Sequence, residues 1–329
     1  MPATQVASDR TGQTASPRRP DRRCSHATQR GDAMERARLC RSLLVSALLA
    51  AGGRTAPREE HYVIDNSSSR RLQDPSRVRF GDFPFVVFVE RRTDTFVCLG
   101  SVVSQFWVVT SAQMIGTVAE SVRSGVRVRA GSLERGRGGV LHDTAKVVTH
   151  PLYDQPHMYE NDIALVKVRT SFTHDNYVKP IKMATLVDSL PPGTSVKACG
   201  WGKGRHGGVS QFLLQTTLQV VSNRRCDSSR GITSLREKLG PQVRVTDTML
   251  CAASSNKDTT TGDSGGPLFL LRDEKPLLVG VISWGEGMGD VDTPGVYTSI
   301  AKYRKWMFLE MASEGLLHAG PFNDTDELA

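Results

Sequence analysis

The sequence predicts an all-β fold, a barrel or a sandwich, with one helix at its C-terminal end. Two observations predict it: short apolar or alternating segments recur along the chain, and glycine-rich turns separate them. The 329 residues include 30 Gly and 16 Pro, and 39% are hydrophobic, as expected for a turn-rich globular protein.

The first two strands are predicted as a hairpin, because the apolar runs 85–90 and 96–103 flank the polar break 91–94. Residues 126–129 alternate Val and Arg, which indicates a strand with one buried face. The remaining strands are predicted from short apolar runs at 107–111, 147–148, 163–168, 196–198, 213–221, 277–283 and 296–298.

The C-terminal helix is predicted over residues 300–314, where apolar side chains fall on one helical face. The side chains of this stripe are Ile300, Tyr303, Met307 and Met311. Residues 186–193 contain Pro-Pro-Gly and are interpreted as a linker between two halves of the fold.

The N-terminal part predicts secretion. Residues 34–53 combine a basic stretch, a short apolar run and small residues, which is the pattern of a signal peptide; an amphipathic helix is the alternative. Residues 1–33 are predicted to be disordered or an over-extended start, and 54–82 a pro-segment or linker. No other segment is long and apolar enough to span a membrane. Asn66 and Asn323 lie in glycosylation triplets.

The net charge does not indicate a nucleic-acid-binding protein. The formal charge is +8, but residues 1–60 carry 11 Arg and no Lys against 6 acidic residues, which leaves +3 for the rest. Most of this basic excess would be removed with the predicted signal. We therefore expect neither a nucleic-acid nor a membrane partner.

The hexapeptide GDSGGP at residues 262–267 carries the strongest chemical signal. A nucleophilic serine needs an exposed position on a tight turn, and neighbouring glycines let backbone N–H groups approach the substrate oxygen. Taken alone, the hexapeptide also fits an ordinary glycine-rich turn. It is accompanied by Asp162 at the start of an apolar strand. Three further phrases flank it: CGWG at 199–202, SWG at 283–285 and PGVY at 294–297.

Together these phrases resemble the trypsin/chymotrypsin-like serine protease family, in unbroken order from Phe83 to the C-terminal helix. The resemblance implies two six-stranded antiparallel β-barrels with a cleft between them, followed by the C-terminal helix. It places the protease domain at 83–315, a tail at 316–329, and the connection between the barrels at 186–193.

The resemblance also implies that one catalytic group is missing. The family orders its triad His, Asp, Ser, which assigns Asp162 and Ser264, and the histidine should follow the Trp-Val-Val strand at 107–109. Gln113 occupies that position. An amide can hydrogen-bond to Asp162 and Ser264, but it cannot accept the serine proton or become a cation. In related triads, loss of the histidine lowers kcat by about 10⁶.

The same resemblance assigns the oxyanion hole to the backbone N–H groups of Gly262 and Ser264. It assigns the substrate pocket to Asp258, Ser283, Gly285 and Gly295. Asp258 would pair with an Arg or Lys side chain of a bound peptide; a solvated loop carboxylate is the alternative interpretation.

Activation by N-terminal cleavage is predicted to be impaired. The family spacing puts the new terminus at Leu72, after Arg71, but the phrase Leu-Gln-Asp-Pro differs from the Ile-Val-Gly-Gly type. The terminal amine would pair with Asp263. Without it Asp263 needs other partners, because an unpaired buried carboxylate is unfavourable.

The resemblance predicts a disulfide between Cys226 and Cys251, which would stabilise by about 3 kcal/mol. Cys98 and Cys199 lack the family's partners, so they are either buried and inert or joined to another molecule. The His and Cys residues lack ligand spacing, so no metal and no cofactor is expected.

We therefore predict a secreted, extracellular, non-catalytic serine protease homologue that acts as a protein-binding or regulatory module. Its partner would be a protein or a substrate-like peptide. A heparin-like polyanion is a further candidate, although such arginines are also common on solvated faces. The arginines concerned are Arg127, Arg129, Arg135, Arg137, Arg224 and Arg225. The alternative is an active trypsin-like endopeptidase, specific for Arg or Lys, with a displaced base, His157 first.

Overall fold

The computed structural model describes residues 77–92, 96–116, 125–201, 210–254, 263–285 and 292–314. Several predicted features lie outside these ranges: the signal peptide, Asn66 and Asn323, Arg71, Leu72, Asp258 and Gly262.

Six strands in the N-terminal half of the described chain form a closed barrel, in the order β1-β2-β3-β6-β5-β4. All pairs in it are antiparallel. The strands are β1 (Val86–Arg91), β2 (Phe96–Val102), β3 (Trp107–Thr110), β4 (Val126–Ala130), β5 (Val140–Thr149) and β6 (Ala164–Val168).

The second barrel is built from the C-terminal half, in the order β11-β8-β9-β10-β13-β12, and it closes through pairing of β12 with β11. A two-residue strand, β7 (Lys182–Met183), adds to β12 in parallel. The strands are β8 (Ser195–Gly200), β9 (Leu214–Val221), β10 (Met249–Ala253), β11 (Pro267–Arg272), β12 (Lys275–Trp284) and β13 (Gly295–Ser299). The predicted pair of six-stranded barrels is thus confirmed.

Four helices accompany the barrels in the described ranges: α1 (Ala112–Gly116), α2 (Asn223–Asp227), α3 (Arg230–Leu239) and α4 (Ile300–Ser313). The side chains of Ser222 and Ser229 cap α2 and α3 by accepting backbone N–H bonds in the first turn. Helix α4 buries the four residues of the predicted apolar stripe, so the predicted C-terminal helix is confirmed.

The predicted linker at 186–193 is wrong. Residue Ile181 still donates its N–H to Val102 of the first barrel, whereas Ala184 already donates to Leu278 of the second. The chain therefore crosses between the barrels just before residue 184. The Pro-Pro-Gly phrase instead forms a turn within the second barrel, where Gly193 donates its N–H to Val220.

Aromatic side chains fill the interface between the barrels. The rings of Phe88 and Trp201 lie 3.7 Å apart, and those of Phe85 and Phe269 lie 5.2 Å apart in an edge-to-face arrangement. This packing fixes the position of one barrel against the other. It therefore also fixes the distance between site residues that the two barrels supply.

Candidate active site

Asp162 is the centre of the predicted site and is 0% exposed. Its carboxylate receives hydroxyl donors from both barrels. The Ser111 Oγ lies 2.8 Å from Oδ1 and 3.0 Å from Oδ2. The Ser283 Oγ, on β12, donates to Oδ2. The backbone N–H groups of Gln113, at 2.7 Å from Oδ1, and of Ala112 complete the set.

Burial raises the pKa of Asp162 above its ordinary value. The hydrogen bonds from Ser283, Gln113, Ser111 and Ala112 act in the opposite direction, because they stabilise the charged carboxylate. The Thr298 hydroxyl donates to the backbone oxygen of Asp162 at 2.8 Å and fixes the backbone at this point. Among the described residues, the donors that hold Asp162 therefore include no imidazole.

The role of Ser111 as a donor to Asp162 was not predicted from the sequence, although Ser111 lies only two residues before Gln113. The phrase Thr-Ser-Ala-Gln offered a signal, since a small polar residue beside a predicted buried carboxylate is a candidate donor. Only the packing of the two segments shows that the hydroxyl reaches Asp162.

Gln113 lies in α1 and is half-buried. It serves Asp162 through its backbone N–H and not through its side chain. The predicted side-chain hydrogen bonds from Gln113 to Asp162 and Ser264 are not found in the described ranges, where Gln113 reaches Asp162 through its backbone N–H alone. The physical reason is that other donors already occupy the carboxylate.

Ser264 stands on a turn that both barrels hold. Its backbone oxygen accepts the N–H of Leu99 at 3.1 Å, and the N–H of Gly265 donates to Ile282 at 2.8 Å. Gly265 has a φ of +86°, and a Cβ there would lie 2.3 Å from the Leu99 oxygen, so the turn requires glycine. The Ser264 hydroxyl is partly exposed and makes no hydrogen bond within the described part of the chain.

A family model described as Trypsin matches residues 74–307. The chain belongs to the trypsin family. Trypsin alpha of Drosophila melanogaster is 33% identical over 267 residues, which cover 80% of this chain and 95% of that protein. Trypsin of Phaedon cochleariae is 32% identical over 230 residues, 69% of this chain and 83% of that protein. Trypsin epsilon of Drosophila erecta is 34% identical over 227 residues, 68% and 81% respectively.

Asp263, the residue before the nucleophile position of this trypsin-family domain, is 3% exposed. Its Oδ1 accepts the N–H of Trp201 at 2.8 Å. The carboxylate also packs directly on Gly200, where a Cβ would lie 1.9 Å from Oδ2, so any side chain at 200 would displace it. Asp263 therefore has a backbone partner in the second barrel. Its pairing with a new terminus at Leu72 stays a prediction.

Three of the four residues predicted to form the trypsin-type pocket, Ser283, Gly285 and Gly295, lie within the described ranges. Gly285 and Gly295 lie side by side, since a Cβ on Gly285 would be 3.4 Å from the Cα of Gly295. Ser283 points its hydroxyl at Asp162, and Trp284 stacks on Tyr159 with ring centroids 5.5 Å apart. Asp258, the predicted partner of a basic side chain, lies outside the described residues.

Four of the chain's eight histidines fall in the described ranges: His142, His150, His157 and His174. Burial lowers the pKa of His142, whose Nδ1 lies 3.2 Å from the Thr170 oxygen. His150 packs against Tyr303 and Trp306 of α4. None of the four imidazoles makes a hydrogen bond or ion pair with Ser264 or Asp162. Within the described part of the chain, His157, the predicted displaced base, bonds through its backbone oxygen, which accepts the N–H of Glu160.

The cysteines match the expectation for the bonded pair and for the two free thiols. Cys226 and Cys251 form a disulfide. Cys98 and Cys199 are free and buried. Burial raises the pKa of Cys98 to about 12 and raises that of Cys199 further. In this single chain both thiols are buried, and a bond from either of them to another molecule stays a prediction.

The arginines predicted to bind a polyanion differ in their exposure and in their contacts. Arg127 and Arg129 both pair with Glu90, which is 2% exposed. The guanidinium of Arg135 lies over the Phe96 ring, 4.8 Å from its centroid. Arg224 and Arg225, in α2, are exposed. The cations of β4 are therefore occupied by a buried carboxylate.

No cluster of three His, Cys, Asp or Glu side chains that could hold a metal occurs within the described ranges. Among the helices described, none has the length and apolar character needed to cross a membrane.

Proposed function

We propose that this trypsin-family protein is a secreted, non-catalytic homologue that acts as a protein-binding or regulatory module. The observation that carries the proposal is Gln113 at the histidine position, beside an Asp162 whose donors within the described ranges include no imidazole. The proposal keeps the protease fold and its cleft but assigns no peptide hydrolysis to them.

The chemistry follows from the missing base. Attack by Ser264 on a peptide carbonyl requires a group that takes the hydroxyl proton and later donates it to the leaving amine. Gln113 cannot do either, because an amide is not basic at neutral pH. Asp162 is buried and already bonded to hydroxyl and backbone donors, so it cannot replace the missing imidazole at Ser264.

The relatives named trypsins favour the alternative, an active endopeptidase that cleaves after Arg or Lys. Asp162 and Ser264 are both present, as that alternative requires. It also requires a displaced base within hydrogen-bond reach of Ser264. No described imidazole bonds to Ser264, and the rings of His142 and His150 contact other residues, which supports the non-catalytic proposal.

The reactivity of Ser264 tests the proposal. The purified chain, intact and after cleavage at Arg71, is treated with a fluorophosphonate that labels activated serines, with a commercial trypsin as positive control. We expect no adduct on Ser264 under conditions that label the control completely. An adduct that maps to Ser264 and disappears in Ser264→Ala would establish an activated nucleophile and support the endopeptidase instead.

The binding half of the proposal concerns a substrate-like peptide. Gly285 and Gly295 place no side chains of their own in the predicted pocket, and the strand that precedes them ends at Trp284. We expect an Arg-containing peptide to bind without being cut, measured by calorimetry. The matched control is Asp258→Ala, which should abolish the preference for Arg over a Leu-containing peptide. Equal affinity for both peptides in the unaltered chain would exclude this mode of binding.

Extracellular location is supported by the predicted signal at 34–53 and by the Cys226–Cys251 disulfide, which is typical of oxidising compartments. A polyanion partner would use the exposed Arg224 and Arg225 rather than Arg127 and Arg129, which both pair with the buried Glu90. Retention on heparin resin, compared between the unaltered chain and Arg224→Ala/Arg225→Ala, distinguishes these two surfaces.

A further inference from the structure

Donors from the described residues occupy the acceptor positions of the Asp162 carboxylate. A carboxylate offers about four lone-pair positions to donors. Four donors point at Asp162: the hydroxyls of Ser111 and Ser283 and the backbone N–H groups of Ala112 and Gln113. A fifth donor could approach only if one of these four moved away.

Three of the four donors lie either on the backbone or in the second barrel. The N–H groups of Ala112 and Gln113 belong to the start of α1, and Ser283 belongs to β12 of the second barrel. Ser111 alone is a side chain on the segment that also carries residue 113. Its hydroxyl is within 3.0 Å of both carboxylate oxygens and is buried. It therefore lies where a donor extending from residue 113 would have to go.

In a Ser-His-Asp triad the imidazole Nδ1–H donates to the aspartate, and this bond sets the tautomer and orientation of the ring. We propose that the Ser111 hydroxyl takes the place of that N–H as the fourth donor to Asp162. Ser111 is a positioning residue that closes the site to a histidine at position 113. This inference deepens the proposed non-catalytic function and rests on it.

The consequence concerns two coupled positions. A histidine at 113 without any change at 111 must compete with a neutral hydroxyl that already satisfies the buried carboxylate. In the double variant, removing the Ser111 hydroxyl frees one acceptor position on Asp162, and the new imidazole can occupy it. The two substitutions should therefore act non-additively, as expected for residues that share a hydrogen-bond partner.

The test reads the imidazole directly by proton NMR, so that it does not depend on turnover. A histidine N–H bonded to a buried carboxylate gives a strongly downfield resonance. We expect this resonance to be absent in Gln113→His and present in Ser111→Ala/Gln113→His. Ser111→Thr/Gln113→His keeps the hydroxyl and should lack the resonance. The single variant Ser111→Ala, which adds no histidine, identifies the signal as that of residue 113.

Two outcomes would overturn the inference: the resonance at full intensity in Gln113→His with Ser111 intact, or its absence in the folded double variant. Backbone amide spectra confirm folding, and Ser111→Gly/Gln113→His provides a second hydroxyl-free protein if the alanine version does not fold. Failure of the proposed function is distinguishable. It would appear as Ser264-dependent turnover in the unaltered chain, which this NMR comparison does not measure.

Discussion

The hydroxyl of Ser111 lies 2.8 Å and 3.0 Å from the two carboxylate oxygens of Asp162, although 51 positions separate these residues in the chain. Asp162 is fully buried, and its pKa is raised by that burial. The serine hydroxyl thus offsets part of the unfavourable free energy of placing a carboxylate in the interior. A trypsin-family site without its histidine can remain folded for this reason.

Replacement of Ser111 by alanine should lower the free energy of unfolding by about 1–3 kcal/mol, because a buried acceptor of Asp162 loses its donor. The measurement is urea unfolding at pH 7. The matched control is Ser101→Ala, which removes a hydroxyl from a residue that is 1% exposed and that donates to no buried carboxylate. Equal losses for the two variants would show that the Ser111 bond does not contribute.

Replacement of Asp162 by asparagine should make the protein more stable than the unaltered chain at pH 7 and leave the two alike at low pH. Burial raises the pKa of Asp162 in the folded protein above that in the unfolded chain. The protonated carboxyl therefore stabilises the folded state fully below the unfolded-state pKa, and this stabilisation is lost as the pH rises through the folded-state pKa. Asparagine does not titrate. Its NH₂ group can also donate to the hydroxyls of Ser111 and Ser283, which can rotate to accept.

Unfolding of the Asp162→Asn protein is followed from pH 3.5 to 7. Asp273→Asn, an exposed position in a turn, is the control for loss of one negative charge. A variant that is less stable than the unaltered chain at pH 7 would contradict the prediction, since it would mean that the charged carboxylate is favoured by its surroundings.

Replacement of Arg129 by methionine should lower the free energy of unfolding by about 3–5 kcal/mol, because it leaves Glu90 buried with its main partner removed. Arg129 donates to Glu90 through Nε and a terminal nitrogen at 3.1 and 3.0 Å. Thermal and urea unfolding measure the effect. Arg137→Met is the control, because that side chain is 78% exposed and lies 3.9 Å from Glu134. It should change stability by at most about 0.5 kcal/mol.

Cys98 and Cys199 should resist alkylation in the folded protein and react in denaturant. Both thiols are buried, and a pKa of about 12 for Cys98 leaves a thiolate fraction of about 10⁻⁴ at pH 8. Iodoacetamide labelling followed by peptide mass spectrometry resolves each site. Rapid labelling of either cysteine without denaturant would instead support a thiol that is available to a covalent partner.

The barrels and the remnant triad could be predicted because their signals are contiguous. GDSGGP and the Trp-Val-Val strand each occupy a few adjacent residues, and their order along the chain identifies the fold. The apolar stripe of α4 could also be predicted, since helical periodicity depends only on the local sequence. Gln113 could be recognised from its position two residues after Ser111 and four after Val109.

Other features depend on contacts between distant segments. The bond between Ser111 and Asp162 and the pairing of Arg129 with Glu90 exist only after the first barrel closes. The Pro-Pro-Gly phrase marks a turn but does not say which barrel contains it, and the linker prediction was wrong for that reason. The strand β11 was not predicted, because it begins directly after the turn that carries Ser264 and no polar segment separates the two in the sequence.

Amide hydrolysis after Arg and Lys measures directly whether this trypsin-family chain is catalytic. The purified chain is assayed intact and after cleavage at Arg71, with Ser264→Ala run at the same concentration to measure contaminating protease. We expect the unaltered chain and Ser264→Ala to give the same background rate. Turnover by the unaltered chain that disappears in Ser264→Ala would contradict it and show that another group serves as the base.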